Sequence, residues 1–189
     1  MTIQDRRERE RQLRRSQILS SATEIFSTEG QSGASMSAIA KRAELGKATL
    51  YYYFKTKEDL YEAVVNEGVR EFFSSLADLT PAEDLAEAVE QLVLAYQDFF
   101  EPRPALHQIL APLLTSMYVS SQEHTHSSHL AFLADLTLHI AKSSWASSYD
   151  PFFSFVVDLL LSTSQRMLSG QPQTRERLDF YLDLIRSKS

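Results

Sequence analysis

Cysteine is absent from this chain of 189 residues. Its absence removes disulfides, thiolate metal sites and cysteine nucleophiles, although a zero count does not by itself fix the compartment. Glycine (5) and proline (6) are scarce, and the prolines fall near expected helix starts. No alternating apolar run is long enough for a strand and no internal repeat is visible, so the chain reads as helical throughout. No stretch approaches the ~20 apolar residues that span a bilayer, and the amino end lacks the apolar core of a secretory signal. The expected compartment is therefore the cytoplasm, with no membrane partner. No Ser-His-Asp arrangement, glycine-rich phosphate loop or dinucleotide fingerprint is legible, so neither an enzyme nor a cofactor is expected. The hydrophobic share of 43% is ample for a core.

A formal charge of −6 argues, taken whole, against a nucleic-acid partner. Its distribution argues the other way. Residues 1–60 carry 11 Lys and Arg against 8 Asp and Glu, whereas residues 61–189 carry 8 against 17. A basic head on an acidic body guides association with a polyanion locally, while the acidic remainder discourages coating of random DNA.

The stretch from Ser35 to Lys57, SMSAIAKRAELGKATLYYYFKTK, predicts two short helices around a tight turn. Ser35 is a good N-cap for the first, whose Ile39, Ala40 and Ala43 form a small apolar stripe. Glu44 and Leu45 make the turn. The second, Lys47 to Phe54, buries Leu50 and Phe54, with Tyr51 beside them on the core side, and turns Lys47, Ala48, Thr49, Tyr52 and Tyr53 outward. Hydroxyls of Thr and Tyr bond phosphate oxygens, Lys adds charge, and a small Ala lets a helix approach base edges in the major groove. The plainer alternative is that the three tyrosines are core packing. Ahead of this pair, Arg6, Arg7, Arg9, Arg11, Arg14 and Arg15 lie in a mobile arm or frayed helix that either meets phosphates or is merely solvated, and Arg14 and Arg15, nearest the folded part, are its DNA-binding candidates.

Residues 14–64 resemble the DNA-binding half of the tetracycline-repressor (TetR-like, AcrR-like) regulators. The pieces that carry the resemblance are RRSQILSSATEIFSTEG, a first helix closed by Gly30, then SMSAIAKRA, GKATLYYYF and KTKEDLYEAV, in order and at the usual spacing. Glu44 stands where the turn usually has Gly, and Ala48 where Gly is frequent. A Glu in a left-handed turn costs about 1–2 kcal/mol relative to Gly. The resemblance implies an all-α fold of about nine helices. Residues 1–12 would form a flexible basic arm, 13–58 a helix-turn-helix DNA-binding domain, and 59–189 a helical effector-binding and dimerisation domain. It also implies that Ser35, Thr49, Tyr52, Tyr53 and Lys57 hold phosphates, that Ser37, Lys47 and Ala48 face base edges, and that the function is ligand-responsive repression at a palindromic operator in double-stranded DNA.

Thr56 and Asp59 cap a fourth helix with Leu60, Val64, Gly68 and Phe72 on one stripe. Thr80 opens a capping box, TPAE, for a helix running to about Phe100. A sixth helix is expected over about 103–120, kinked by Pro112, and a seventh over about 125–146. In residues 151–169 one stripe holds Phe152, Phe155, Val156, Leu159, Leu160 and Met167, and a second holds Phe153, Val157, Leu161 and Leu168. The final helix repeats this, with Leu178, Tyr181, Leu182 and Ile185 on one side and Phe180 and Leu184 on the other. A helix pair apolar on two sides needs a second partner. The simplest is a twin subunit, a homodimer joined through Phe153, Val157, Leu161, Leu168, Phe180 and Leu184; burial of both faces within one chain is the alternative.

The resemblance further implies a cavity for a small, apolar or aromatic effector, for which Tyr96, Phe99, His107, Met117, Tyr118, Phe132, His139 and Trp145 are candidate lining residues. Two rival classes stand beside this reading. A metal sensor or metalloenzyme could use Glu123, His124, His126 and His129, but on a helix 126 and 129 share a face that 124 does not, so no metal site is expected. A hydrophobic-ligand carrier that never meets DNA would leave the Thr49, Tyr52, Tyr53 and Lys57 surface unexplained.

Overall fold

The computed structural model describes residues 2–76, 79, 82, 85–112, 149–171 and 175–186. These form helices α1 (Ile3–Gly33), α2 (Met36–Arg42), α3 (Lys47–Tyr53), α4 (Lys57–Leu76), α5 (Leu85–Phe100), α6 (104–112), α7 (Tyr149–Leu168) and α8 (Arg175–Arg186), with no strand among the described residues. The chain divides into two compact units, Met1–Val69 and Arg70–Ser189, so the division falls within α4.

In the first unit a capping box starts α1. Thr2 Oγ1 accepts from the Asp5 amide at 3.1 Å, and Asp5 Oδ2 accepts from the Thr2 amide at 2.7 Å. The arginine-rich stretch is thus the exposed opening of α1. Farther along, Ile18, Leu19, Ala22 and Phe26 are buried at helical spacing. Gly30, with φ 70° and ψ 169°, interrupts the helix where the sequence placed its close. Ser35 caps α2 by accepting from the Ala38 amide at 3.1 Å, and α2 buries Met36, Ile39 and Ala40. Thr56 and Asp59 form the reciprocal cap of α4 at 3.0 and 3.1 Å. Along α4 the expected stripe of Leu60, Val64, Gly68 and Phe72 is buried.

The turn between α2 and α3 resolves the question raised by Glu44, which adopts φ 55°. The left-handed conformation is retained, with a side chain that disfavours it. Gln17 Nε2 donates to the Ala43 carbonyl at 2.8 Å, anchoring the end of α2 to α1 just before this turn.

In the second unit α5 packs against both α7 and α8. It buries Val89, Leu92, Val93, Tyr96, Phe99 and Phe100, against Leu159, Leu160, Leu178 and Leu182 of the other two. The helix begins at Leu85, and Ala82 is not helical, so the start lies beyond the Thr80 box expected from sequence. Phe72 meets Tyr96, Phe99 and Phe100 with ring centroids 5.8, 5.3 and 5.5 Å away. The expected continuation of the sixth helix past 112, and the whole seventh expected over about 125–146, lie outside the described residues.

One polar cluster crosses this core. The Tyr96 hydroxyl lies 3.0 Å from His107 Nε2, and Ser164 Oγ lies 2.9 Å from the same nitrogen. Both hydroxyls can donate or accept, so either tautomer of a neutral ring can be met at Nε2, whereas a protonated ring would bury a charge with no carboxylate in this cluster. The neutral ring therefore fits. Burial acts in the same direction, holding the imidazole below the ordinary histidine value and raising the Tyr96 phenol above its own, which keeps it a donor.

Two outcomes follow. Leu50, with no exposed surface, should cost about 2–5 kcal/mol when cut to Ala, while Glu44→Gly should stabilise by roughly 0.5–1 kcal/mol once the added freedom of the unfolded chain is offset; denaturant midpoints of the purified variants check both. For His107, the unfolded ring takes up a proton first as pH falls through about 6.5. Stability should thus decline below that pH until the depressed folded value is passed, and melting scans between pH 7.5 and 5.5 should show a shallower decline for His107→Gln.

Candidate nucleic-acid interface

The surface singled out by sequence is built on three short stretches of the first unit. Gly46 precedes α3 in an extended conformation, and α3 buries only Leu50 within its seven residues. Lys47, Ala48, Thr49, Tyr51 and Tyr52 are exposed, Tyr52 to 69%, and Tyr53 is half-buried. The Tyr52 and Tyr53 rings meet edge to face at 5.4 Å, which holds the Tyr52 ring out from the helix. Ser35 and Ser37 are exposed on the first turn of α2. Ser35 Oγ accepts the capping bond, and its hydroxyl proton stays free to meet an acceptor.

Tyr51 corrects the sequence reading. The sequence places it on the core side because it follows Leu50, yet it is 45% exposed. One residue along a helix is a turn of about 100°, and a helix anchored by a single side chain leaves that direction open. Lys55, not singled out from sequence, donates to the Tyr51 carbonyl at 3.2 Å and closes the end of α3 beside these tyrosines. The signal for it was a cation just past a helix C-terminus.

The remaining cations differ in how far they are committed. Arg14 is exposed, with a hydrogen bond to Gln17 Oε1 at 3.0 Å. Arg15 lies over the Phe54 ring at 5.7 Å and 3.9 Å from Glu67, turned onto the unit's own body. Arg42 pairs with Glu24, joining α2 to α1. Lys57 donates to two backbone carbonyls, Ser32 at 3.1 Å and Ala34 at 3.0 Å. The exposed hydroxyls, aromatic rings and ammonium of α3 therefore stand beside three cations, Arg15, Arg42 and Lys57, that are engaged within the unit itself.

Of the effector-pocket candidates, Tyr96 and His107 are joined in the polar cluster. Phe99 lines an open groove of about 870 Å³ between α4 and α5 with Arg70, Ser74, Gln91, Asp98 and Arg103. His107 also lines a second space of about 430 Å³ with Asp98, Phe100, Glu101 and Met167. Met117, Tyr118, Phe132, His139 and Trp145 lie outside the described residues, as do Glu123, His124, His126 and His129. Among the described residues no group of three His, Cys, Asp or Glu is placed to hold a metal ion, and no helix is long and apolar enough to cross a membrane. Of the dimer-face candidates, Leu161 is half-buried while Leu168 and Phe180 are 48% and 66% exposed. The side chains of Phe153, Val157 and Leu184 lie outside the described residues.

Residues 18–64 match the bacterial regulatory proteins of the tetR family. Over 89 residues the chain is 36% identical to the HTH-type transcriptional activator FasR of Mycolicibacterium smegmatis, a match covering 47% of this chain and 41% of that protein. Over 136 residues it is 29% identical to the HTH-type transcriptional regulator UidR of Escherichia coli K12, covering 70% of this chain and 68% of that one. The chain thus spans about two-fifths of the first relative and two-thirds of the second. A TetR-like transcriptional regulator from Rhodococcus sp. RHA1 shares the fold, with a TM-score of 0.64 at 24% identity over 92% of both chains. Residues 18–64 thus match the amino-terminal module of the tetR family of bacterial regulatory proteins, and over the stretches given the chain is similar to HTH-type transcriptional regulators.

Proposed function

We propose that this protein is a ligand-responsive repressor that binds a palindromic operator as a homodimer and leaves it when a small apolar or aromatic effector binds the carboxy-terminal unit. It works in the cytoplasm, where its DNA is. The observation that carries the reading is the outer face of α3, where Lys47, Ala48, Thr49, Tyr51 and Tyr52 stand exposed around one buried leucine. Thr49 and the tyrosine hydroxyls would fix the head on phosphates, and Lys47 and Ala48 would face base edges, with Ser37 approaching from α2.

Dimerisation is supported by the exposed apolar residues of the last two helices. Leu168 and Phe180 lie on the faces that the sequence pattern left without a partner, and large apolar side chains on such faces favour association. Two heads related by a two-fold axis would then meet two half-sites about one helical turn of DNA apart. An effector that binds the DNA-incompetent arrangement about 100-fold better than the competent one couples at about 2.7 kcal/mol, enough to release an operator. Binding both equally would change nothing. FasR is named an activator, and activation would use the same head and the same pairing.

Selection from a random duplex library with the purified protein tests the reading: a palindrome should be enriched, with a steep salt dependence of its affinity. Failure to enrich any sequence would overturn it. On the selected site, Lys47→Ala should lose about 1–3 kcal/mol of discrimination against a changed half-site, and equal loss on selected and random DNA would remove Lys47 from base reading. Phe180→Asp should shift the protein toward monomer in sedimentation and weaken operator binding in parallel.

A further inference from the structure

Lys57 opens α4 directly after the Thr56 cap, and from sequence it is expected to hold a phosphate. Its ammonium instead spans 25 and 23 residues of sequence to donate to the carbonyls of Ser32 and Ala34. These two acceptors bracket the point where α1 gives way to α2. Past the break at Gly30 the helix leaves carbonyls without partners of their own. The Ala34 amide satisfies one by donating to the Gly30 carbonyl at 3.1 Å, and Lys57 takes two more. A cation is the favourable group at such a negative helix end. The next residue after Ala34 is Ser35, whose hydroxyl caps α2.

We infer that Lys57 is a positioning residue of the DNA-binding head: it clamps the junction of α1 and α2 to the first turn of α4 and so sets where Ser35 and Ser37 stand. Two of its three N–H donors are spent inside the protein, and the side chain is half-buried. The ammonium acts on DNA through the backbone it holds. Because α4 is the helix it sits on, a shift of the first turn of α4 is passed directly to the start of α2, through two hydrogen bonds rather than through the apolar core. This inference rests on the head being the part that meets DNA.

The two roles leave different signatures. A lysine that neutralises a phosphate contributes about 0.9 to the slope of log affinity against log salt; a clamp contributes none. Lys57→Met is therefore expected to weaken binding to the selected operator about tenfold with the salt slope unchanged. In the free protein it should speed amide hydrogen exchange in Met36–Arg42 by a similar factor, while the amides of Ile18, Leu19 and Ala22 keep their protection. A slope lower by about 0.9, unchanged exchange in α2 or unchanged affinity would each overturn the clamp. Should the variant not fold, the wild-type protein answers alone: the Lys57 ammonium resonance, seen by ¹⁵N NMR, should be protected from solvent exchange without DNA and stay so on operator. Its appearance only with DNA would mean a phosphate contact. The exchange and NMR measurements on the free protein need no DNA, so loss of the DNA-binding reading and loss of the clamp are told apart.

Discussion

A seven-residue helix does not stand alone in water, because nucleating a turn costs more than so few hydrogen bonds return. The exposed face of α3 exists only because Leu50 is fully buried and Phe54, just past its end, is buried too. Everything the head presents to a partner hangs on that attachment. It explains why the core beneath is tight and apolar, with Ile18, Ala22, Ile39 and Leu60 shielded from water, and why the face above can be given over to hydroxyls and charge.

Apolar packing fixes how near the helices lie but says little about where each one starts and stops. In this head that task falls to long polar side chains reaching terminal carbonyls: Gln17 at the end of α2, Lys55 at the end of α3, and Lys57 at the end of α1. Helix ends leave carbonyls unsatisfied, and each one left so in a part-buried place would cost about 1–3 kcal/mol. Where the side chain comes from another helix, as with Gln17 and Lys57, the bond also ties the two helices together. In the second unit, Tyr96, His107 and Ser164 join α5, α6 and α7 through one nitrogen.

Local rules made much of this legible in advance. Ser35 and the Thr56–Asp59 pair announce helix starts by their own chemistry, Gly30 announces a break, and the spacing of Leu60, Val64, Gly68 and Phe72 marks a buried stripe. The errors arise where local rules do not decide. Tyr51 lies at the edge of the apolar arc of a helix with one anchor, so a small rotation carries it out to solvent. The hydrogen-bond partners of Lys57 are illegible for another reason: they are more than twenty residues away, and only the folded arrangement brings them within reach. Of the Thr80 box only Ala82 is among the described residues, and the helix described after it starts at Leu85. The second apolar face of the last two helices was visible as pattern, and Leu168 and Phe180 stand exposed on it.

The fourth helix runs unbroken from Lys57 to Leu76, and at 1.5 Å per residue its 20 residues make a rod about 30 Å long. Its first turn is held by a reciprocal cap and by the two hydrogen bonds of the Lys57 ammonium. A rotation of about 5° there displaces the far end of such a rod by roughly 2.6 Å, more than half the spacing of two strands in a sheet. Leverage of this kind converts small angular changes into distances that side chains can feel, without bending the helix or breaking a single one of its backbone bonds.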